Sequence, residues 1–494
     1  MVTKNNCAVL SVAEMNQADA LAVAAGIRSL DLMEKAGTSV TGAILDRWPV
    51  GTAAVLCGPG NNGGDGFVIA RQLAVAGWKV RLGLLAAAEA LSGDAAVNAR
   101  RWSGKIPPIA PDLIAGCDLV VDALFGAGLS RPLDGPALEI VTAIDASGIP
   151  CAAVDMPSGV DGDSGQVLGA APRARLTVTF FRKKPGHLLF PGRQHCGETL
   201  VADIGIPDTV LEAIAPDLAE NLPALWADQL PRPGHEDHKY TRGHVLICGG
   251  NHMTGAARLA ARGARRMGAG MVSIAAPEAA VPIYRAGDPG LVVSAMTPET
   301  NFDSLLGQRR VSAALVGPGN GSGRQTRANV IAALGSKLPV VIDADGLTSF
   351  EDAPEDLFGW IKGVCVLTPH TGEFARLFPE AIGGRLDRAR AAARQSGAVV
   401  VLKGADTVIA APDGRALINA NAPASLATAG SGDVLAGMIA AALAQGAAAL
   451  DAAAAAVWLH GEAARRFGAP VGLIAEDLPD QLPRLLAELA NKPT

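Results

Sequence analysis

Short β-branched runs recur through the first half of the chain, at Ala53–Cys57, Val80–Leu85, Leu119–Asp122, Cys151–Asp155 and Leu176–Phe180. Helical patterns separate them, notably Gly64–Ala76 and Pro136–Ser147. Strands alternating with helices predict a mostly parallel sheet covered on both faces, an arrangement that binds ligands at the carboxyl ends of its strands. The pattern stops near Leu211, and a proline-rich stretch follows with Pro223, Pro231, Pro233 and Gly234, then the polar cluster His235–Tyr240. Prolines forbid regular structure there, so a boundary is expected between Pro216 and Pro233. A second series then runs through Val245–Cys248, Met271–Ala275, Ala314–Val316, Val340–Asp343, Val364–Leu367 and Val399–Leu402. The halves share no internal repeat. The reading is α/β with two domains: residues 1–215, a linker at 216–227, and residues 228–494.

The length of 494 residues supports two cores, not one. A charged fraction of 18% and few aromatics suit close helix–sheet packing in a soluble enzyme. A net charge of −6 argues against a nucleic-acid partner, which needs clustered Lys and Arg. It does not forbid an anionic ligand, because glycine-loop amides bind phosphate without net positive charge. The seven cysteines are scattered, with no CxxC pair, and read as buried reduced thiols of a cytoplasmic protein, not a disulfide framework or zinc site. No basic stretch followed by an apolar core marks a signal peptide. The apolar run Val434–Leu450 is Ala/Gly-rich and reads as a buried helix, not a membrane span.

The segment Gly58-Pro-Gly-Asn-Asn-Gly-Gly-Asp-Gly66 follows a strand and opens a helix. Its glycines let backbone approach a ligand, and the helix start presents unpaired amides to an anion. Gly58, Gly60 and Gly63 satisfy the dinucleotide G-x-G-x-x-G pattern, but the second strand carries no Asp or Glu to hold a ribose, which disfavours an ordinary NAD dehydrogenase. In the second half, Ala427-Thr-Ala-Gly-Ser-Gly-Asp433 precedes an apolar helical pattern. Such a turn can stabilise a transferring phosphoryl group, with Asp433 placed to take a proton from a hydroxyl. The competing reading is a capped helix, with Ser431 or Asp433 as the cap.

The full string GPGNNGGDGFVIAR is similar to the phosphate-binding loop of the NAD(P)H-hydrate epimerase domain. Asp122-Ala-Leu-Phe-Gly-Ala-Gly-Leu-Ser-Arg-Pro-Leu-Asp-Gly135, Val154-Asp-Met-Pro-Ser-Gly-Val-Asp-Gly-Asp-Ser-Gly165, Ser11-Val-Ala-Glu-Met15, Lys184-Pro-Gly-His187 and Ala202-Asp-Ile-Gly205 match in family order. The resemblance implies a Rossmann-like domain. It places the hydrate on Asn61, Asn62, Gly63, Gly64 and Asp65, on Gly126, Ala127, Gly128, Leu129, Ser130, Arg131 and Pro132, and on Asp155. It also implies a potassium ion on Asn62, Asp122 and Ser158, although spacing alone does not separate potassium from magnesium. Helix capping or turn formation is the plainer role for Asp122 and Asp155. With chemistry, Asp155 is expected to act as the acid/base at the C6 hydroxyl of the reduced ring.

The second half resembles the ADP- or ATP-dependent NAD(P)H-hydrate dehydratases of the ribokinase-like class. The strings are Gly243-His-Val-Leu-Ile-Cys-Gly-Gly250, Thr254-Gly-Ala-Ala257, Arg266-Met-Gly-Ala-Gly270, Val316-Gly-Pro-Gly-Asn320, Ile342-Asp-Ala-Asp-Gly-Leu347, Leu367-Thr-Pro-His-Thr-Gly-Glu373 and Val401-Leu-Lys-Gly-Ala-Asp-Thr407. The resemblance places the hydrate near Ala256, Gly317, Gly319, His370 and Asp433, and the adenine nucleotide on Lys403, Gly404, Ala405, Asp406, Thr407 and Gly432. It implies Asp433 as base, ADP as co-substrate, magnesium on the nucleotide and a homo-oligomer, up to a tetramer. The chain departs from the family's G-x-P-G-M at Asn421-Ala-Pro-Ala-Ser-Leu426. His370 has a plain alternative as a local hydrogen-bonding residue, and His235, His238, His244 and His460 read as structural or surface groups. The rival function is a ribokinase-like small-molecule kinase with a non-catalytic N-terminal nucleotide-binding or scaffold domain.

Overall fold

The computed structural model describes residues 4–232, 234–308 and 310–491, so Pro233 lies outside the described residues. The chain forms two compact α/β units, one over Ala8–Leu218 and one over Ala219–Thr494 together with Met1–Cys7. The stretch expected as a linker at 216–227 is largely part of the second unit. Trp226 is fully buried in that unit's core, and its indole N–H donates to Asn221 Oδ1 at 3.0 Å. The Asn221 amide in turn donates to Ala454 O and Asn419 Oδ1. Proline breaks helix and sheet but does not prevent a segment from being anchored by one large apolar ring.

In the first unit, six strands lie in the order β2-β1-β3-β4-β5-β6, all parallel: β1 Thr52–Cys57, β2 Lys79–Leu84, β3 Leu119–Ala123, β4 Cys151–Val154, β5 Leu176–Phe180 and β6 Glu198–Ala202. Strands β3, β4 and β5 are buried along their whole length, as a sheet covered on both faces requires. The first helix after β1 runs Asn61–Val75 and starts three residues before the expected Gly64. Gly63 therefore lies inside the helix with Gly64 and Gly66, whereas Gly58 and Gly60 stay in the loop before it. A Cβ on Gly63 would strike the Gly58 carbonyl, and one on Gly66 would meet Cys57 and Ala123, so they serve close helix–sheet approach.

The second unit carries ten strands in the order β10-β9-β8-β11-β12-β13-β14-β15-β16-β7. Their ranges are β7 Leu218–Glu220, β8 His244–Cys248, β9 Met271–Pro277, β10 Val292–Met296, β11 Ala313–Val316, β12 Val340–Ile342, β13 Cys365–Leu367, β14 Val399–Leu402, β15 Thr407–Ala410 and β16 Ala416–Asn419. The pairings from β10 to β14 are parallel, and β14–β15 and β15–β16 are antiparallel. The apolar run Val434–Leu450 is not one helix: Ser431–Ala444 and Ala449–Phe467 are separated at Gly446, whose φ of 96° ends the first. All seven cysteines are buried and free. Among the described residues, no helix is long and apolar enough to cross a membrane.

The helix Ser431–Ala444 is buried on nearly every side and packs on Thr254–Arg266 through glycine. A Cβ at Gly437 would collide with the Ala260 backbone, and one at Gly263 would lie 2.6 Å from Val434 O. Gly437→Ala thus opposes two effects. Alanine favours an isolated helix by about 1 kcal/mol, whereas forcing the two backbones apart costs about 1–3 kcal/mol. Denaturant titration should show net destabilisation, and a variant as stable as the parent would show that the two helices separate freely.

Candidate functional sites at the carboxyl edges of the two sheets

In the first unit, β3 delivers Asp122 and β4 delivers Asp155 to the carboxyl edge. Asp122 is fully buried. Its carboxylate accepts from Ser158 N at 2.8 Å, Ser158 Oγ at 2.6 Å and Leu124 N at 3.3 Å. Burial pushes its pKa up, against the lowering effect of the Ser158 hydrogen bonds. Among the described residues no cationic side chain pairs with it. Asn62, with its amide oriented to suit its neighbours, donates to Val154 O at 3.1 Å and accepts from Gly126 N at 3.3 Å. Asn62 thus ties the helix start to the β4 end and to the loop after β3.

Asp155 immediately follows β4 and has φ of 64°, a left-handed conformation that costs a non-glycine residue about 1–3 kcal/mol. That turn aims its carboxylate at three donors: Ala127 N at 3.0 Å, Thr179 Oγ1 at 2.8 Å and Lys184 Nζ at 2.7 Å. Lys184 is itself buried and also donates to Thr179 Oγ1. Burial alone would raise the Asp155 pKa, but Lys184 and the other donors override it and hold the group well below the usual carboxylate range. His187 locks the turn. Its Nδ1 accepts from Lys184 N at 2.9 Å, so the proton sits on Nε2, which donates to Asp155 O at 2.7 Å.

A cleft of about 820 Å³ opens over these groups. Asn61, Asn62, Asp65, Gly126, Ala127, Gly128, Leu129, Ser130, Arg131 and Asp155 line it, whereas Gly63, Gly64 and Pro132 do not. The two glycines are buried in helix packing instead. Asp19 and Lys184 also line the cleft, and the sequence reading assigned neither to the site. Burial, then the Asp155 and Asp19 charges, push Asp65 well above the usual range. Burial raises Asp19 to about 6, against the pull of Lys184.

In the second unit, the ends of β11, β12, β13 and β14 and the start of the helix Ser431–Ala444 form the corresponding edge. Gly317 sits against the Asp343 backbone, and Gly319 against Ala256. His370 and Lys403 are bridge partners on adjacent chains. Lys403 Nζ pairs with the buried Asp343 at 2.7 Å and lies close behind Gly432. The Arg385 guanidinium holds the β14–β15 turn by donating to the carbonyls of Leu402, Lys403 and Asp406. The turn bearing Lys403, Gly404, Ala405, Asp406 and Thr407 is therefore clamped from behind.

The capping alternatives resolve differently for the two candidates here. His370 is a helix cap: its Nδ1 accepts from Gly372 N and Glu373 N, while Glu373 accepts from His370 N at 2.8 Å. Asp433 is not. The cap of its helix is Gly430 in the left-handed conformation, with no side-chain hydrogen bond. Burial first, then the Asp343 charge, raise Asp433 to about 6, against Lys403. Burial likewise raises Glu373. Asp343 went unassigned at the sequence level, although it lies in the Ile342–Leu347 string.

Sequence comparison adds the following. A family described as NAD(P)H-hydrate dehydratase matches residues 244–485, and one described as YjeF-related protein N-terminus matches residues 29–186. The bifunctional NAD(P)H-hydrate repair enzyme Nnr of Salinibacter ruber is 36% identical over 97% of this chain and 96% of its own. The enzyme of the same name from Thermofilum pendens is 38% identical over 94% and 93%. Among solved structures, the ADP/ATP-dependent NAD(P)H-hydrate dehydratase of Bacillus subtilis, co-crystallised with ATP and Mg2+, is 31% identical, with a TM-score of 0.48 over 53% of this chain and 95% of that one.

His187 makes a pH prediction. Burial, then Lys184, hold its pKa at about 4, below the ordinary 6.5. Between these values the unfolded chain binds the proton that the folded chain refuses. The contribution of neutral His187 is complete above pH 6.5 and is lost as pH falls toward about 4. His187→Gln, which cannot titrate, should melt lower than the parent at neutral pH and lose less melting temperature on acidification. Equal slopes for the two proteins would show that His187 is not held neutral.

Proposed function

The chain belongs to the family of bifunctional NAD(P)H-hydrate repair enzymes, and from that premise we propose that each sheet edge performs one of two successive steps on the same hydrated nicotinamide ring. Residues 1–215 interconvert the R and S hydrates, and residues 228–494 dehydrate the S form with ADP. The observation that carries the reading is the pairing, in one chain, of two strand-edge sites that each set carboxylates against a glycine-bearing helix start.

In the first unit, the ring is expected beside Asp155, whose ionised carboxylate can accept a hydrogen bond from the C6 hydroxyl. The phosphates would meet the amides at Asn61–Asp65 and the 126–132 loop. The implied potassium fits the chemistry at hand: Asp122 is a buried carboxylate without a cationic partner, and Ser158 and Asn62 add neutral oxygens. A cation held there would neutralise Asp122 and brace the loop after β3. The sharper expectation that Asp155 itself carries the proton has a physical obstacle. Three donors already occupy its carboxylate, so its role is to hold the hydroxyl.

In the second unit, Asp433 takes the C6 hydroxyl proton as that oxygen attacks the terminal phosphoryl group of ADP. AMP leaves, phosphate is expelled from C6 with a push from the ring nitrogen, and loss of a proton from C5 to solvent then restores the dihydronicotinamide. Elevation to about 6 leaves Asp433 basic enough to accept a proton and ionised at neutral pH. Lys403 and the amides at Gly432 face the transferring phosphoryl group. Asp343, Asp345, Glu373 and Asp433 outnumber Lys403, which suits a magnesium-bearing nucleotide; Asp343 and Glu373 would face the ion, which supplies charge neutralisation between phosphates. A homo-oligomer is the proposed assembly. The rival, a small-molecule kinase with a scaffold domain attached, gives no use to the Asp122, Asp155 and Lys184 cluster.

The deciding assay follows recovery of dihydronicotinamide absorbance from mixed hydrate epimers with ADP, ATP or no nucleotide. Complete recovery with ADP is expected, and none without nucleotide. Asp433→Asn keeps shape but cannot accept the proton. It should lower dehydration by about two to four powers of ten, with an almost unchanged melting temperature and epimerisation intact in the same sample. Near-parental dehydration would remove Asp433 from the chemistry.

A further inference from the structure

We infer that Asp19 is the group that carries the proton in epimerisation, an inference that rests on the reading of the first unit as the epimerase. The helix Val12–Ala24 lies along the cleft and faces it with Val12, Met15, Asn16, Asp19, Ala20 and Val23. Of the residues on that face Asp19 alone can ionise. It is half-buried, and its carboxylate has no hydrogen-bond or ion-pair partner among the described residues, in contrast to Asp155 with its three.

Asp94 lines the cleft together with Asp19, Asp65 and Asp155, and the last three are held differently. Asp155 is ionised and tied to Lys184. Asp65, buried and facing the charges of Asp155 and Asp19, is pushed well above the usual carboxylate range. Asp19 lies between, at about 6, raised by burial and restrained by Lys184. A group that must give and then retake a proton near neutral pH works best when its pKa is close to that pH. Of these three, Asp19 meets that condition and is open to the cleft.

The step balances as follows. Asp19 gives its proton to the C6 hydroxyl while the lone pair of the ring nitrogen forms a double bond to C6. The C6–O bond breaks and water departs. Water then adds to the opposite face of C6, the nitrogen regains its lone pair, and the released proton returns to Asp19. No oxidant, nucleotide or other co-reactant is consumed, and Asp155 accepts a hydrogen bond from the hydroxyl before it departs.

The test uses the full chain and a purified single hydrate epimer without nucleotide, with the other epimer followed by chromatography. Asp19→Asn should lower kcat for epimerisation by about two to four powers of ten, with KM within a few-fold of the parent. Asp19→Glu should restore part of the rate, which a helix-packing role would not produce. Dehydration of the S epimer with ADP should be unchanged in both variants. An Asp19→Asn protein that epimerises at the parental rate overturns the proposal. A parental protein that does not epimerise overturns the reading of the first unit instead.

Discussion

At each sheet edge a lysine is paired with an aspartate at 2.7 Å, Lys184 with Asp155 in the first unit and Lys403 with Asp343 in the second. Burying either partner alone would cost several kcal/mol, so neither lysine nor aspartate can be altered without stranding the other charge. The pairs fix the charge state of what surrounds them. A second carboxylate that approaches feels the first aspartate as a repulsion and the lysine as an attraction, while burial disfavours its ionised form. Asp19 and Asp433 both settle at about 6 under that balance. Two different strand orders therefore arrive at the same arrangement: one aspartate paired with a lysine, and a second whose pKa burial raises.

The surrounding backbone serves those pairs. Asp155 reaches its donors only because the chain turns left-handed after β4, and His187 secures the turn through one tautomer. In the second unit Ala344, directly after Asp343, has φ of 46°, and Asp345 accepts from Gly321 N at 2.8 Å. Positive φ at non-glycine residues is tolerated where several hydrogen bonds over-determine the turn. In the first unit the strain lies on the paired aspartate itself, and in the second on the residue directly after it.

Most of the frame was legible from the chain. Period and punctuation located strands β1 to β5 and the core strands of the second unit, because fully buried parallel strands read as β-branched runs. Membership of both units in the bifunctional NAD(P)H-hydrate repair family followed from strings in order. Glycine was harder to interpret. In sequence the glycines of this segment suggest close approach to a ligand, yet Gly63, Gly64 and Gly66 lie in helix, where the absent Cβ admits neighbouring backbone and side chains. Gly446 does break a helix, inside a run whose apolarity hid the turn. The same residue type has opposite meanings, and only the packing partner tells them apart.

Asp19 and Lys184 were illegible for a different reason. Asp19 stands in an Ala-rich helix more than thirty residues before the glycine segment, at no spacing that chemistry prescribes. Lys184 stood inside a recognised string without a role of its own, and lysine is seldom fully buried. What identifies them is the cleft that gathers both with Asp65 and Asp155. A motif marks where ligand phosphates and backbone must meet, because that contact needs particular residues in sequence. Proton transfer needs only a carboxyl at the right place with the right neighbours, and the fold can supply it from any helix that crosses the cleft.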